Sequence, residues 1–117
     1  MTIIDGDKRI AAIRDLNDDF RRGTLARHGG HVVLTRGVNA FGPGFAFAAY
    51  DAVRKFDAFT DDNDPHGEHD FGEFEVEGRQ LFWKIDYYDK ETEHGSDDPA
   101  DPDKTMRVIT IMLSEEY

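Results

Sequence analysis

Residues 71–88 read FGEFEVEGRQLFWKIDYY, and this segment is the strongest indication of the fold class. Apolar and polar side chains alternate with a period of two on both sides of Gly78. That period is typical of β-strands with two different faces, and glycine suits the tight turn between them. The stretch therefore predicts a β-hairpin. Its second strand has a face that we expect to be core, formed by Leu81, Trp83, Ile85 and Tyr87. The opposite face, formed by Phe82, Lys84, Asp86 and Tyr88, exposes aromatic surface for a partner if nothing covers it.

The flanking segments predict two helices and two further strands. Residues 7–22 have apolar side chains at helical spacing, with Asp7 as the expected N-cap and Gly23 as the expected end. The remaining predictions are a strand at 31–36, a helix at 45–56, a long polar loop at 89–104 that is mobile or binds a partner, and a buried strand at 105–114.

The predicted order is α-β-α-β-β-β. Helices come early and an antiparallel meander comes late, which is typical of the α+β class. We expect a two-layer sandwich, with an antiparallel sheet covered by two helices on one face. The length of 117 residues predicts one domain over residues 1–117.

Composition limits the classes of function. The chain has no cysteine, which excludes disulfides, thiolate metal sites and cysteine nucleophiles, and which fits a cytoplasmic location. Residues 1–5 do not predict a secretory signal, and no run of 18 apolar residues predicts a membrane span. Ser96 and Ser114 are the only serines, and neither lies in a nucleophile elbow.

The net charge of −11 is unevenly distributed. Residues 1–56 hold nine Lys or Arg against six Asp or Glu, whereas residues 57–103 hold three against seventeen. Direct binding to nucleic acid is disfavoured, because phosphates would meet this acidic segment. The only candidate basic patch consists of Arg21, Arg22, Arg27 and Arg36.

The densest part of the acidic segment is residues 61–73, which read DDNDPHGEHDFGE. One interpretation is a calcium loop, because Asp62, Asp64, Gly67 and Glu73 match the spacing of that motif. His66 is a poor ligand for a hard cation, and a strand instead of a helix is predicted after the loop, so the match is incomplete.

A second interpretation is a site for Zn, Mn or Fe(II) in a hydrolase-like enzyme. Imidazole and carboxylate ligands suit these ions, and an open coordination position would activate water. The candidate ligands are Asp64, His66, His69 and Asp70, with Glu68 as the possible base. His31 or His94 would add a ligand only if the fold brings it close.

A third interpretation needs no ion. Asp and Asn side chains bind nearby backbone N–H groups in turns, Gly67 would adopt a positive φ, and His69 would bridge to a carboxylate. The loop would then be ordered by its own hydrogen bonds. No cofactor is required by this interpretation.

A compact acidic surface also suits a basic protein partner, since opposite charges accelerate association. This is the function that we expect from the sequence: a small acidic binding or regulatory module. The expected contact residues are Asp61, Asp62, Glu68, Tyr88, Asp97 and Asp98. The oligomeric state is left open.

Several segments together resemble a domain family of unknown function. They are FDAFTDDNDPHGEHDFG (56–72), FWKIDYYD (82–89), GSDDPADP (95–102), LNDDFR (16–21) and VLTRG (33–37). The family consists of small bacterial proteins, mainly from alphaproteobacteria and often plasmid-borne. The resemblance implies a bacterial cytoplasmic setting and carries no activity that transfers to particular residues.

Overall fold

The computed structural model describes residues 6–23 and 30–117. Its helices are α1 (Gly6–Arg21), α2 (Arg36–Asn39) and α3 (Pro43–Lys55), and its strands are β1 (His31–Leu34), β2 (Phe71–Val76), β3 (Arg79–Tyr88) and β4 (Met106–Leu113). A short 3-10 turn, Ser114–Glu116, follows β4. None of the described helices has the length and apolar character needed to cross a bilayer.

The four strands form one sheet in the order β1-β4-β3-β2. The last three strands are the predicted antiparallel meander, and β1 pairs with β4 in parallel, with Val32 opposite Ile109. The α+β class is confirmed, but the sheet is mixed and not wholly antiparallel. A parallel neighbour needs a long crossover connection, and the helices and the meander between β1 and β4 supply it.

The hairpin is confirmed, and its turn has two central residues with positive φ. These are Glu77 at 52° and Gly78 at 79°, while Arg79 already begins β3. Positive φ at both positions defines a type I′ turn, whose twist matches that of the flanking strands. The turn therefore sets the register in which Phe74 faces Leu81.

The core lies between one face of the sheet and the helices. Three residues of β3 face three residues of β4, and all six side chains are buried. Leu81 faces Leu113, Trp83 faces Ile111, and Ile85 faces Ile109. Helix α3 packs on this face through Phe45, Ala49 and Val53, which are four residues apart. This spacing places the three side chains on one side of the helix. On β3, the predicted core face is confirmed for Leu81, Trp83 and Ile85.

Helix α1 contacts the same face of the sheet as α3. Its Asn17 donates a hydrogen bond to the hydroxyl of Tyr87, and Arg107 on β4 donates one to the Asn17 side chain. Val38 of α2 also belongs to the core. In the described part of the chain, the opposite face of the sheet therefore has no helix on it.

Two local predictions are wrong in their boundaries. Residues 35 and 36 do not continue β1, because Thr35 caps the short helix α2 by accepting a hydrogen bond from the Val38 N–H. Asp7 is not the N-cap of α1, since it lies within the first turn. There it still complements the positive end of the helix dipole.

Candidate functional site

The acidic loop, residues 57–70, connects α3 to β2 and is ordered by its own side chains. Asn63 accepts a hydrogen bond from the Thr60 N–H at 2.7 Å and donates one to the Ala58 carbonyl at 2.8 Å. Gly67 has a φ of 72°, as the sequence predicted. The predicted turn is confirmed, and its shape depends on short-range hydrogen bonds of the kind that Asn and Thr form.

His69 joins this loop to α1. Its Nδ1 lies 2.9 Å from Oδ1 of Asp18, and its Nε2 lies 3.5 Å from Oδ2 of Asp64. The ring stacks on Phe59, with 3.7 Å between centroids and 2° between planes. The expected bridge from His69 to a carboxylate is confirmed. The contribution of Asp18 was missed, because Asp18 is 51 residues away along the chain.

A buried polar network lies beside this contact. The Asn17 side chain, which is fully buried, donates to the Tyr87 hydroxyl at 2.8 Å and accepts from Arg107 Nε at 2.6 Å. Tyr87 in turn donates to Oε1 of Glu68 at 2.7 Å. These hydrogen bonds join α1, the acidic loop, β3 and β4, although Nη1 of Arg107 is buried without a hydrogen-bond partner.

Burial in this network shifts the pKa values of Tyr87 and Arg107. Burial raises the pKa of Tyr87, and the hydrogen bond to the Glu68 carboxylate raises it further, so the phenol keeps its proton and remains a donor. Burial lowers the pKa of Arg107, which the nearby Tyr87 and Glu68 partly oppose. These groups have a structural role in this arrangement.

Arg21 does not belong to a basic surface patch. Its side chain is buried, and it donates to the backbone carbonyls of Val53 and Phe56 at the end of α3. Burial lowers its pKa, against the effect of Asp18. The suggested patch is therefore wrong for Arg21, while Arg27 lies outside the described residues.

The structure separates the candidate transition-metal ligands. His66 is exposed and lines a cleft with Asp70, whereas His69 lies between Asp18 and Asp64. Within residues 6–23 and 30–117, no group of three or more His, Asp or Glu side chains is arranged to hold a metal ion. His31 lies on β1 and His94 in the loop after β3. The Zn, Mn or Fe(II) site stays a prediction.

The calcium interpretation receives no support from the side-chain positions. Glu73, the twelfth position of the motif, lies on β2 and accepts a hydrogen bond from Gln80 at 2.6 Å. Asp64 accepts from the His69 N–H, and Asp62 is exposed. The segment after the loop is the strand that the sequence predicted, and not the helix of a calcium-binding hand.

The predicted partner-binding residues fall into two groups. Asp61, Asp62 and Asp97 are exposed, and Tyr88 is half-buried on the helix-free face of the sheet. The other two have partners within the chain: Glu68 accepts from Tyr87, and Asp98 pairs with Arg9 at 2.6 Å. Glu68 and Asp98 are therefore engaged within the chain, and partner binding by the first group stays a prediction.

The loop between β3 and β4 has a defined shape. Oδ1 of Asp89 accepts hydrogen bonds from two backbone N–H groups, and Thr105 donates to the Asp98 carbonyl at 2.8 Å. Arg107 on β4 donates a hydrogen bond to the Pro99 carbonyl. The loop is therefore ordered by contacts within the chain, and its role as a binding loop stays a prediction.

The helix-free face carries an aromatic cluster, which we define as Phe71, Phe82 and Tyr117. The centroid distances are 5.3 Å for Phe71–Phe82, 5.3 Å for Phe82–Tyr117 and 6.0 Å for Phe71–Tyr117. The expectation that Phe82 shares this face with Lys84 and Asp86 is confirmed by the strand register. Tyr117 was missed, since its position depends on the 3-10 turn that follows β4.

Glu116 holds the 3-10 turn that follows β4 in place. Its carboxylate accepts hydrogen bonds from the Thr35 hydroxyl at 2.7 Å and from the Leu113 N–H at 2.8 Å. These hydrogen bonds, Thr35 first, lower the pKa of Glu116. The following residue, Tyr117, is thereby directed onto Phe71 and Phe82.

A cleft of about 350 Å³ lies where the acidic loop meets this face. It is lined by Asn63, Pro65, His66, Asp70, Phe71, Lys84, Ile85, Asp86 and Tyr117. Lys84 pairs with Asp86 at 3.1 Å. Burial raises the pKa of Asp70, as do the carboxylates of Glu68 and Asp64, while its own backbone N–H and His66 lower it.

The arrangement defines an α+β domain with a helix-covered face and a helix-free face bordered by carboxylates. Residues 34–116 match the model of a family described as "Protein of unknown function (DUF3768)", and the chain belongs to that family. The expected membership in a family of unknown function is confirmed, while the bacterial origin stays a prediction. No curated protein and no solved structure matches the chain significantly.

Proposed function

We propose that this protein is a non-enzymatic binding module that engages a basic segment of a protein partner through the helix-free face of its sheet. One observation carries the proposal. All described helices contact the other face, so the aromatic cluster lies on a sheet face with no helix over it. Aromatic side chains of this kind are enriched where proteins bind one another.

The apolar contribution comes from the cluster and its surroundings. Tyr117 is 75% exposed, and Val33 on the edge strand β1 is 44% exposed. Burying such side chains against a partner is favourable by about 25 cal/mol per Å² of apolar surface. Because Phe71 and Phe82 are already held by their strands, little side-chain entropy is lost on binding.

The charge contribution selects the partner. Glu73 and Glu75 lie on the same face of β2 as Phe71, and Asp86 lies beside Lys84 on β3. The segment 57–103, which contains them, has seventeen Asp or Glu against three Lys or Arg. A basic surface would be attracted to this face over a distance of several ångströms, with a strong dependence on salt.

The acidic loop contributes through its fixed shape. It is tied to α1 by His69 and to the network by Glu68, so its exposed carboxylates Asp61 and Asp62 are held in place. A preorganised surface avoids part of the entropy cost of association. Pro65 and His66 of this loop line a cleft with Phe71 and Tyr117, so we expect them to contact the same partner as the neighbouring sheet face.

Affinity capture with crosslinking and quantitative mass spectrometry tests the proposal. The wild-type protein is compared with Tyr117→Ser and with the control Phe47→Ser, which removes an aromatic ring that is 68% exposed on α3. We expect a basic protein that is retained by wild type and Phe47→Ser, lost with Tyr117→Ser, and released at high salt. Capture that is equal for all three variants, or independent of salt, contradicts the proposal.

A further inference from the structure

The cleft at the border of the helix-free face has two kinds of wall. Its lining includes the aromatic residues Phe71 and Tyr117 and the acidic residue Asp70. Its volume of about 350 Å³ lies within the usual range for ligand pockets, which begins near 300 Å³. We propose that this cleft is the anchor site for an arginine side chain of the partner. This inference rests on the proposed function and names the chemistry that it recognises.

Asp70 is the group that makes the cleft a cation site. It is half-buried, and no ion pair joins it to any cation of the described residues. Burial and the carboxylates of Glu68 and Asp64 raise the pKa of Asp70, and its own backbone N–H and His66 lower it. A partly buried carboxylate without a cation stabilises an incoming positive group more than an exposed one does.

The second carboxylate of the cleft already has a partner within the chain. Asp86 pairs with Lys84 at 3.1 Å, and this internal ammonium leaves Asp70 as the carboxylate without an ion pair. An anionic ligand is disfavoured, because Asp70 and Asp86 outnumber Lys84. The cleft therefore selects one additional cation.

The rings favour arginine over lysine. A guanidinium is planar, stacks on aromatic faces and binds a carboxylate through two parallel N–H groups, whereas an ammonium is a compact, strongly hydrated charge. Guanidinium groups already lie over rings in this chain, with Arg79 Cζ at 3.8 Å from the Phe41 centroid. Phe71 and Tyr117 offer the same kind of surface beside Asp70.

The first test uses short blocked peptides as probes, with arginine or lysine as the only charged residue. The backbone amide shifts of the protein are followed by NMR during titration. We expect saturable shifts at Asp70, Phe71 and Tyr117 with the arginine peptide, and weaker binding of the lysine peptide. Asp70→Asn is expected to weaken arginine binding about tenfold, the size of one lost charge-assisted contact. The control Glu93→Gln removes a carboxylate of the β3–β4 loop and is expected to bind as wild type.

Three outcomes overturn the inference: no saturable shift at the cleft, equal or tighter binding of the lysine peptide, or unchanged affinity in Asp70→Asn. Asp70→Asn keeps the size of the side chain, and its folding is checked by its own amide spectrum. A second measurement separates this inference from the proposed function. If Asp70→Asn retains the captured partner while Tyr117→Ser loses it, the arginine anchor is wrong and the binding surface stands.

Discussion

Nδ1 of His69 lies 2.9 Å from Oδ1 of Asp18, and this contact closes the acidic loop onto the first helix. Three further hydrogen bonds hold the loop: Arg14 donates to the Gly67 carbonyl, Asn17 donates to the Glu68 carbonyl, and Tyr87 donates to the Glu68 side chain. His69 adopts a φ of 55°, which is uncommon for a residue with a side chain, and the surrounding contacts hold it there. His69 is thus one of several residues that hold the acidic loop against α1.

Replacement of His69 by alanine is expected to weaken the attachment of the loop to α1, which Arg14 and Asn17 still contact. The contacts with Asp18, Asp64 and Phe59 are lost together, so the free energy of unfolding falls by about 1–3 kcal/mol. Hydrogen exchange of the amides in residues 57–70 should accelerate. The matched control is His66→Ala, whose side chain is exposed, and which should leave both quantities unchanged. An equal effect of the two variants contradicts the role given to His69.

Replacement of Asn17 by alanine is expected to disrupt the buried network. Arg107 Nε loses its acceptor and Tyr87 loses a donor, so the cost is about 2–3 kcal/mol, the penalty for buried polar groups left unpaired. Urea unfolding of the variant and the wild type measures this loss in the free energy of unfolding. The control Asp15→Ala changes an exposed position of the same helix and should cost nothing. A neutral Asn17→Ala variant would show that water or a rearranged side chain replaces the network.

Replacement of Asp70 by asparagine is expected to change how stability depends on pH. The folded state raises the pKa of Asp70, so the folded chain holds this proton more tightly than the unfolded chain does. Wild-type stability therefore falls as pH rises from the ordinary pKa of an aspartate through the raised value. The variant lacks this component. Its free energy of unfolding, relative to wild type, should increase across that interval and then level off.

The comparison uses urea unfolding at a series of pH values in both proteins. Other carboxylates titrate in both, so the difference isolates Asp70. A difference that is constant with pH, or that decreases as pH rises, contradicts the predicted direction.

Replacement of Gly72 by alanine is expected to disturb the core. Gly72 lies opposite Trp83 in the register, and a Cβ atom at this position would overlap the Trp83 indole and the Phe56 ring. Overpacking of this kind costs about 3 kcal/mol. The control Gly44→Ala adds a Cβ in open space at the start of α3 and should be neutral or stabilising. The melting temperatures of both variants test this prediction. Equal values would contradict the close packing of Gly72 against Trp83 and Phe56.

Divalent metal ions are expected to leave the melting temperature unchanged. His69 lies between Asp18 and Asp64, and Glu73 bonds to Gln80, so ion binding by the predicted ligand sets would break existing contacts. Melting curves with Ca²⁺, Zn²⁺, Mn²⁺ and a chelator test this expectation. A stabilisation that is lost in His69→Ala would favour the metal-dependent enzyme, and one lost in Glu73→Gln would favour the calcium loop.

Local sequence patterns predicted the parts of the fold that depend on nearby residues. The alternation around Gly78 predicted the hairpin and its core face, and Gly67 was placed at a positive φ. Helix α2 was missed, because its four residues contain no full period of apolar spacing. The parallel pairing of β1 was missed as well, since it joins strands more than 70 residues apart.

Periodicity and charge were enough to predict the α+β class, the acidic segment and the two unlike faces of β3, because these are properties of consecutive residues. The contacts that those residues make could be seen only in the folded chain. Folding placed Asp18 against His69, buried Arg21, and brought Tyr117 onto Phe71. Such contacts depend on how the helices pack on the sheet, and packing is a property of the whole chain.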